Sequence, residues 1–193
     1  MLYLWRLPEC PNKQIAAYNE AISTDRFIFM QGRPVKKEEI TKPLIFELKV
    51  TQAEIMKYDA IPNNSSSPLI NQKIVDILQE LAPDDVQFFN TEVRCKYGIL
   101  KNYKLLSFAR GIEGIDHEKS IYRRDKFAGL ITIIKYLTYK PDCMKAYKLG
   151  RDKELIGNLL VTEEIKQAFE KAKIKGPRIV RPEEYYSAMV GEI

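Results

Sequence analysis

With 193 residues, 45% of them hydrophobic, the chain is long enough to bury a sizeable core, as a single compact domain over 1–193 or as two lobes, 1–108 and 109–193. A net charge of +5, spread over separate clusters at Lys36–Lys37, Arg123–Arg124–Lys126 and Lys171–Lys175, lacks the dense basic stripe of a nucleic-acid binder, so nucleic acid is not expected as a partner. Cys10, Cys95 and Cys143 are too sparse for a disulfide framework and form no CxxC pair. No apolar stretch reaches the roughly 18 residues of a membrane span, so the chain reads as cytoplasmic with reduced thiols.

Residues 2–7 alternate apolar and aromatic side chains and predict a first strand, stopped by Pro8 and Pro11. Segment 14–21 is weakly helical, 25–30 (DRFIFM) predicts a second strand, and 43–50 (PLIFELKV) a third. Residues 60–68 (AIPNNSSSP) predict a loop, because Asn, Ser and Pro compete with regular backbone bonding. Ile74, Ile77, Leu78 and Leu81 recur at helical spacing behind Asn71, a suitable cap. The exit turn holds Asp84 and Asp85, expected to be solvated, and strands follow at 86–89, 91–95 and 103–108.

Residues 111–120 (GIEGIDHEKS) predict a polar loop. Segment 127–139 is rich in Ile, Leu, Thr and Tyr and predicts a strand, and 144–149 a short one. A second helix starts at Thr162, read as its cap. Glu163 and Glu164 lie near the positive end of its dipole, and Ile165, Ala168, Phe169 and Ala172 form its apolar stripe. Gly176–Pro177 ends it, 178–180 is a strand, and 182–189 a last helix with Pro182 at its first position. Segments 69–88 and 160–179, 91 residues apart, thus share one pattern of cap, amphipathic helix, turn and strand. The expected class is α+β, with mixed or antiparallel sheets and a few short packed helices.

Catalytic motifs are not visible. His117 is the only histidine and sits between Asp116 and Glu118, so a multi-histidine metal site is excluded and no metal or cofactor is expected. Neither GxxxxGK[ST] nor GxGxxG occurs. These residue types favour a binding protein over an enzyme, and no catalytic residue is assigned. A small hydrolase or transferase using Asp, Glu and Tyr, or a nucleic-acid-associated accessory protein, stays open as an alternative.

Four segments carry a family resemblance: Gly32–Arg33–Pro34; PLINQKIVDILQE followed by DDVQFFNTEV; YKLLSF leading to GIEGIDHEKS, with Asp116 and Ser120 in place; and MKAYKL followed by LLVTEEIKQAFEKAKIKGPRIV. Together they span 33–180, and the order resembles that of bacterial immunity proteins of polymorphic toxin, contact-dependent or type VI secretion systems. The chain departs from that pattern after Ser120, where YRRDK is strongly basic. The resemblance implies a cytoplasmic antidote that binds a cognate toxin domain and blocks its active site or substrate access. Tight protein interfaces rest on a few aromatic and arginine anchors. The loop and its basic flank supply them, so Asp116, His117, Tyr122, Arg123 and Arg124 are the expected toxin-facing residues, with Asp116 and Ser120 shaping the loop.

Overall fold

A computed structural model describes residues 1–7 and 10–190, the last four as backbone only. Its strands and helices in chain order are β1 (Leu2–Arg6), β2 (Ala17–Tyr18), β3 (Ile45–Glu47), α1 (Gln52–Ile55), β4 (Ala60–Ile61), β5 (Leu69–Asn71), α2 (Gln72–Leu81), β6 (Val86–Asn90), β7 (Glu92–Cys95), β8 (Gly98–Leu100) and β9 (Tyr103–Phe108). There follow β10 (Gly111–Ile112), β11 (Ile121–Arg124), β12 (Ile131–Tyr136), β13 (Leu149–Asp152), β14 (Leu159–Thr162), α3 (Glu163–Lys171), β15 (Arg178–Val180) and α4 (Pro182–Val190). The fold is α+β. Three sheets run β10-β13-β14-β1-β15, β4-β5-β9-β6 and β2-β3-β7-β8, and β11 and β12 form a separate hairpin.

The repeated sequence pattern becomes a repeated topology. In one sheet β5 leads into α2 and β6, and β9 lies between β5 and β6, antiparallel to both. In another β14 leads into α3 and β15, and β1 takes the corresponding place, antiparallel to both. The outer neighbours also correspond, since β4 pairs antiparallel with β5 and β13 with β14. One intervening strand comes from just downstream of its unit. The other comes from the chain's beginning, 157 residues upstream of β14 if Leu2 and Leu159 are compared.

Both helices bury their stripes in one cluster: Ile74, Val75 and Leu78 from α2, Ile165 and Phe169 from α3. Trp5 of β1 joins the same cluster at 2% exposure, edge-on to Phe169 with ring centroids 5.2 Å apart and to Phe108 at 6.3 Å. Each fully buried large aliphatic side chain there contributes roughly 1.5–3 kcal/mol. The halves also clasp each other through their helix-exit turns. Backbone N–H groups of Asp59 and Ala60, at the start of β4, donate to Lys175 O at 2.8 and 3.1 Å, and Lys175 N donates back to the Asp59 carboxylate at 2.7 Å. Gly176, at φ +120°, allows this approach: a Cβ there would lie 2.3 Å from Ala60 O.

Several local expectations are corrected. Segment 25–30 is not a strand. Asp25 accepts from Phe27 N and caps a 3-10 helix over Arg26–Met30, a side-chain-to-backbone bond that outcompetes the extended pattern. Segment 14–21 is not helical, since Ala17–Tyr18 pairs with β3. The strand expected over 144–149 begins only at Leu149, after a run of turns. Thr162 precedes α3 without a side-chain cap bond, and its Oγ1 is buried without a partner, whereas Asn71 caps α2 as expected by accepting from Ile74 N. Asp85 is not solvated; it is 6% exposed and tied to β13. The loop after β4 is likewise buried at Asn63, Ser65 and Ser67. Pro8, expected to stop the first strand, lies outside the described residues. Among the described residues no helix is long and apolar enough to cross a membrane.

Candidate functional site

The polar loop before β11 is built by short side-chain-to-backbone bonds. Asp116 is 9% exposed; its carboxylate accepts from Lys119 N at 3.3 Å and meets Lys119 Nζ at 3.0 Å, and its carbonyl accepts from Ser120 N at 2.9 Å. The Lys119 bond holds the Asp116 carboxyl below its usual range. Ser120 Oγ accepts from Thr138 N at 3.1 Å and donates to Thr138 O at 3.2 Å, tying the loop to the segment just after β12. Asp116 therefore faces inward as a loop former, while His117 is half-exposed beside it.

Three of the other expected residues converge on a partner the sequence did not reveal. His117 places Nδ1 2.6 Å from Tyr122 Oη and Nε2 3.0 Å from Glu154 Oε1. That geometry suits the tautomer with its proton on Nε2, accepting the tyrosine hydroxyl proton at Nδ1. Arg124 Nη2 donates to Glu154 Oε2 at 2.5 Å and its guanidinium lies 5.3 Å from the Tyr122 ring centroid. Glu154 comes from the turn between β13 and β14, so the cluster clamps β11 of the hairpin, up to the edge of its turn, to the main sheet. His117, Arg124 and Glu154 are all partly exposed, so solvent screens these contacts and each adds little to stability. Arg123 is not in the cluster. It is exposed on β11, and its side chain has no hydrogen-bond or ion-pair partner among the described residues.

The hairpin has two faces. Tyr122, Ile131 and Ile134 pack half-buried on a cluster containing Leu137, Tyr139 and Leu160. Ile121, Leu130 and Ile133 are 59, 61 and 47% exposed. At the tip the Asp125 carboxylate accepts from Phe127 N at 2.9 Å and Ala128 N at 2.7 Å, Gly129 turns back at φ +67°, and Phe127 is held 100% exposed. Aspartate closing a turn onto the following N–H groups, with glycine supplying positive φ, explains the tip from its own residues. The strand expected over 127–139 begins only at Ile131; residues 127–129 belong to this turn, so Phe127 was missed as a site residue although the pattern DKFAG was its signal. Glu154 had no local signal.

A cleft of about 570 Å³ between the chain's start and the beginning of α4 brings together Tyr136, Tyr139, Lys140, Glu183 and Glu184. Its most buried hydroxyl, that of Tyr139, is turned inward: it donates to Asp152 Oδ2 at 2.5 Å and accepts from Asn158 Nδ2 at 2.9 Å. Burial, then the nearby Asp152 charge, raises its pKa, a poor setting for a base or nucleophile at neutral pH. Among the described residues no three His, Cys, Asp or Glu side chains are grouped to hold a metal ion.

Comparison with curated proteins gives no match. A family model does match, over residues 11–180, extending the resemblance of 33–180 toward the N-terminus and ending at the same residue. The chain belongs to the immunity protein family Imm11.

Proposed function

We propose that the protein protects bacterial cytoplasm by binding a cognate toxin domain of a polymorphic toxin or type VI secretion system, and that the β11–β12 hairpin makes the central contact. The observation that carries this reading is the wholly exposed Phe127, fixed on a closed turn rather than on a loose loop. A pre-ordered aromatic loses little entropy on docking and is a common interface anchor. Arg123 and Lys126 beside it give the tip a positive charge that suits an acidic rim around a toxin's active site or substrate entrance. Of the expected toxin-facing residues, Arg123 acts as a contact, His117, Tyr122 and Arg124 hold the hairpin's angle through Glu154, and Asp116 shapes the loop. Inhibition is by occlusion and asks no chemistry of this chain. A stable complex of this kind buries about 1,600 Å² in total, more than the tip alone offers, so the exposed face with Ile121, Leu130 and Ile133 is included.

Co-expression with the toxin encoded by the neighbouring gene tests the reading. Rescue of growth, with copurification of the two proteins, is the expected result. Failure to rescue while both proteins are soluble and expressed would sink it.

A further inference from the structure

A second cleft, of about 260 Å³, opens where β1 and the turn before β14 face the buried loop after β4. Its walls include Trp5, Arg6, Asn63, Ser66, Ser67 and Leu159. Arg6 lines it and Arg151 lies behind its serine wall, and among the described residues neither has a carboxylate partner. Arg151, 1% exposed on β13, donates to Ile156 O at 2.5 Å, Ser66 O at 3.0 Å and Ser67 Oγ at 3.1 Å, and its Nε is buried without a partner. Those bonds hold the serine wall, with Ser66 at φ +61°, but they end on neutral acceptors and leave the guanidinium charge uncancelled. Burial alone draws Arg151 down to about 10, so it still carries its charge at neutral pH.

Arg6 lines the cleft directly. Nη2 donates to Asn158 Oδ1 at 2.6 Å and Tyr186 Oη at 2.9 Å, and the group stacks 4.1 Å from the Tyr185 ring centroid, which fixes its plane. Nη1 makes only a 3.2 Å bond to Gly157 O, at the exposed mouth, and so retains a second N–H for a ligand. The neighbouring acid does not compensate either arginine: Asp152 is committed to Tyr139 Oη and to the N–H groups of Glu154 and Leu155. A cleft lined by an arginine that no carboxylate among the described residues neutralises, with serine and asparagine on one wall and indole and leucine on another, matches an anion with an apolar body.

We propose that this cleft binds a small organic carboxylate, its carboxylate on Arg6 Nη1 and its apolar part against Trp5 and Leu159. The site lies apart from the hairpin, and its test does not depend on a toxin. Trp5 lines the cleft and is the single tryptophan, so no other indole contributes to the fluorescence signal. The experiment titrates the whole protein with benzoate, with its neutral isostere benzamide, and with N-acetylglutamate amide as a blocked acidic side chain. Benzoate should give a saturable fluorescence change at least tenfold tighter than benzamide. Arg6→Gln should abolish that preference, and Arg6→Lys should keep most of it. Equal response to benzoate and benzamide, or no saturable response to either in the unaltered protein, overturns the proposal whether or not the variants fold. Saturation by N-acetylglutamate amide but not by benzoate also overturns it and assigns the cleft to an acidic side chain of a protein.

Discussion

The Asp85 carboxylate accepts the backbone N–H of Lys148 at 2.7 Å, across 63 residues of chain. The same oxygen takes Leu149 N at 3.3 Å, and Arg110 Nε reaches the other oxygen at 3.3 Å. One carboxylate thus closes the turn after α2 onto the start of β13, as the turn after α3 closes onto β4. Asp85→Ala would leave two N–H groups at a strand end and one guanidinium short of an acceptor. The expected loss is about 2–4 kcal/mol, read as a lower urea midpoint at unchanged slope. Asp85→Asn keeps an acceptor oxygen and should lose less, and Asp84→Ala should stay within about 0.5 kcal/mol. Equal losses at 84 and 85 would refute the clasp.

The two helix starts should respond differently. Asn71 caps α2 through Ile74 N at 3.4 Å and also donates to Asp59 at 2.9 Å, so Asn71→Ala should cost about 1–2 kcal/mol. Thr162 makes no cap bond and its buried hydroxyl has no partner. Thr162→Val, nearly isosteric, removes an unsatisfied polar atom and should be neutral or stabilising by up to about 1 kcal/mol. Thermal melts of the two variants beside the unaltered protein decide this; a comparable destabilisation in both would restore Thr162 as a working cap.

On the hairpin, Phe127→Ala and Arg123→Ala should each weaken toxin binding by tenfold or more, about 1.4 kcal/mol or above, with melting temperature unchanged. Glu154→Gln should act indirectly, loosening the clamp on Arg124 and His117 with a smaller loss of affinity. Isothermal titration with an inactivated toxin domain measures both. Full affinity in the Phe127 variant would remove the tip from the interface.

Asp152 gives a pH-dependent expectation. Burial raises its pKa above the ordinary aspartate value, against lowering by the Tyr139, Leu155 and Glu154 bonds. A carboxyl with a raised folded pKa binds its proton more tightly in the folded state, so its contribution to stability is fully present below the unfolded value near 3.8 and is lost as pH rises through the folded value. Asp152→Asn, which cannot ionise, should therefore compare worst with the unaltered protein at about pH 3, and the gap should narrow toward pH 7. Urea titrations at several pH values give the comparison, and a gap that widens with pH would contradict the sign.

How much was legible follows the range of each interaction. Helices α2 and α3 could be read because their apolar stripes and stop signals are contiguous, and in α3 because Glu163 and Glu164 also mark the first turn. The 3-10 turn at Arg26–Met30 was misread because FIFM is an unbroken aromatic and aliphatic run that suits a strand, while the deciding bond comes from Asp25 two residues before Phe27. That signal was local but outvoted. Of the site, Tyr122, Arg123 and Arg124 stood out as an aromatic and basic run beside a polar loop. Their division into one exposed side chain and two members of a clamp did not, because Glu154 is 30 residues away from Arg124.

By itself, the amino-acid order determined the α+β class, the twin helix-then-strand units and the kinship with immunity proteins, since each is written in neighbouring residues. Only the tertiary structure decided that β1 fills the gap in the second unit, that Asp85 is a buried tie rather than a solvated acid, that Arg151 is buried beside Ser66 and Ser67 with no carboxylate partner among the described residues, and that Glu154 holds β11 of the hairpin. Each of these joins groups dozens of residues apart, where local propensity carries no information and burial, charge and hydrogen-bond satisfaction choose the partner.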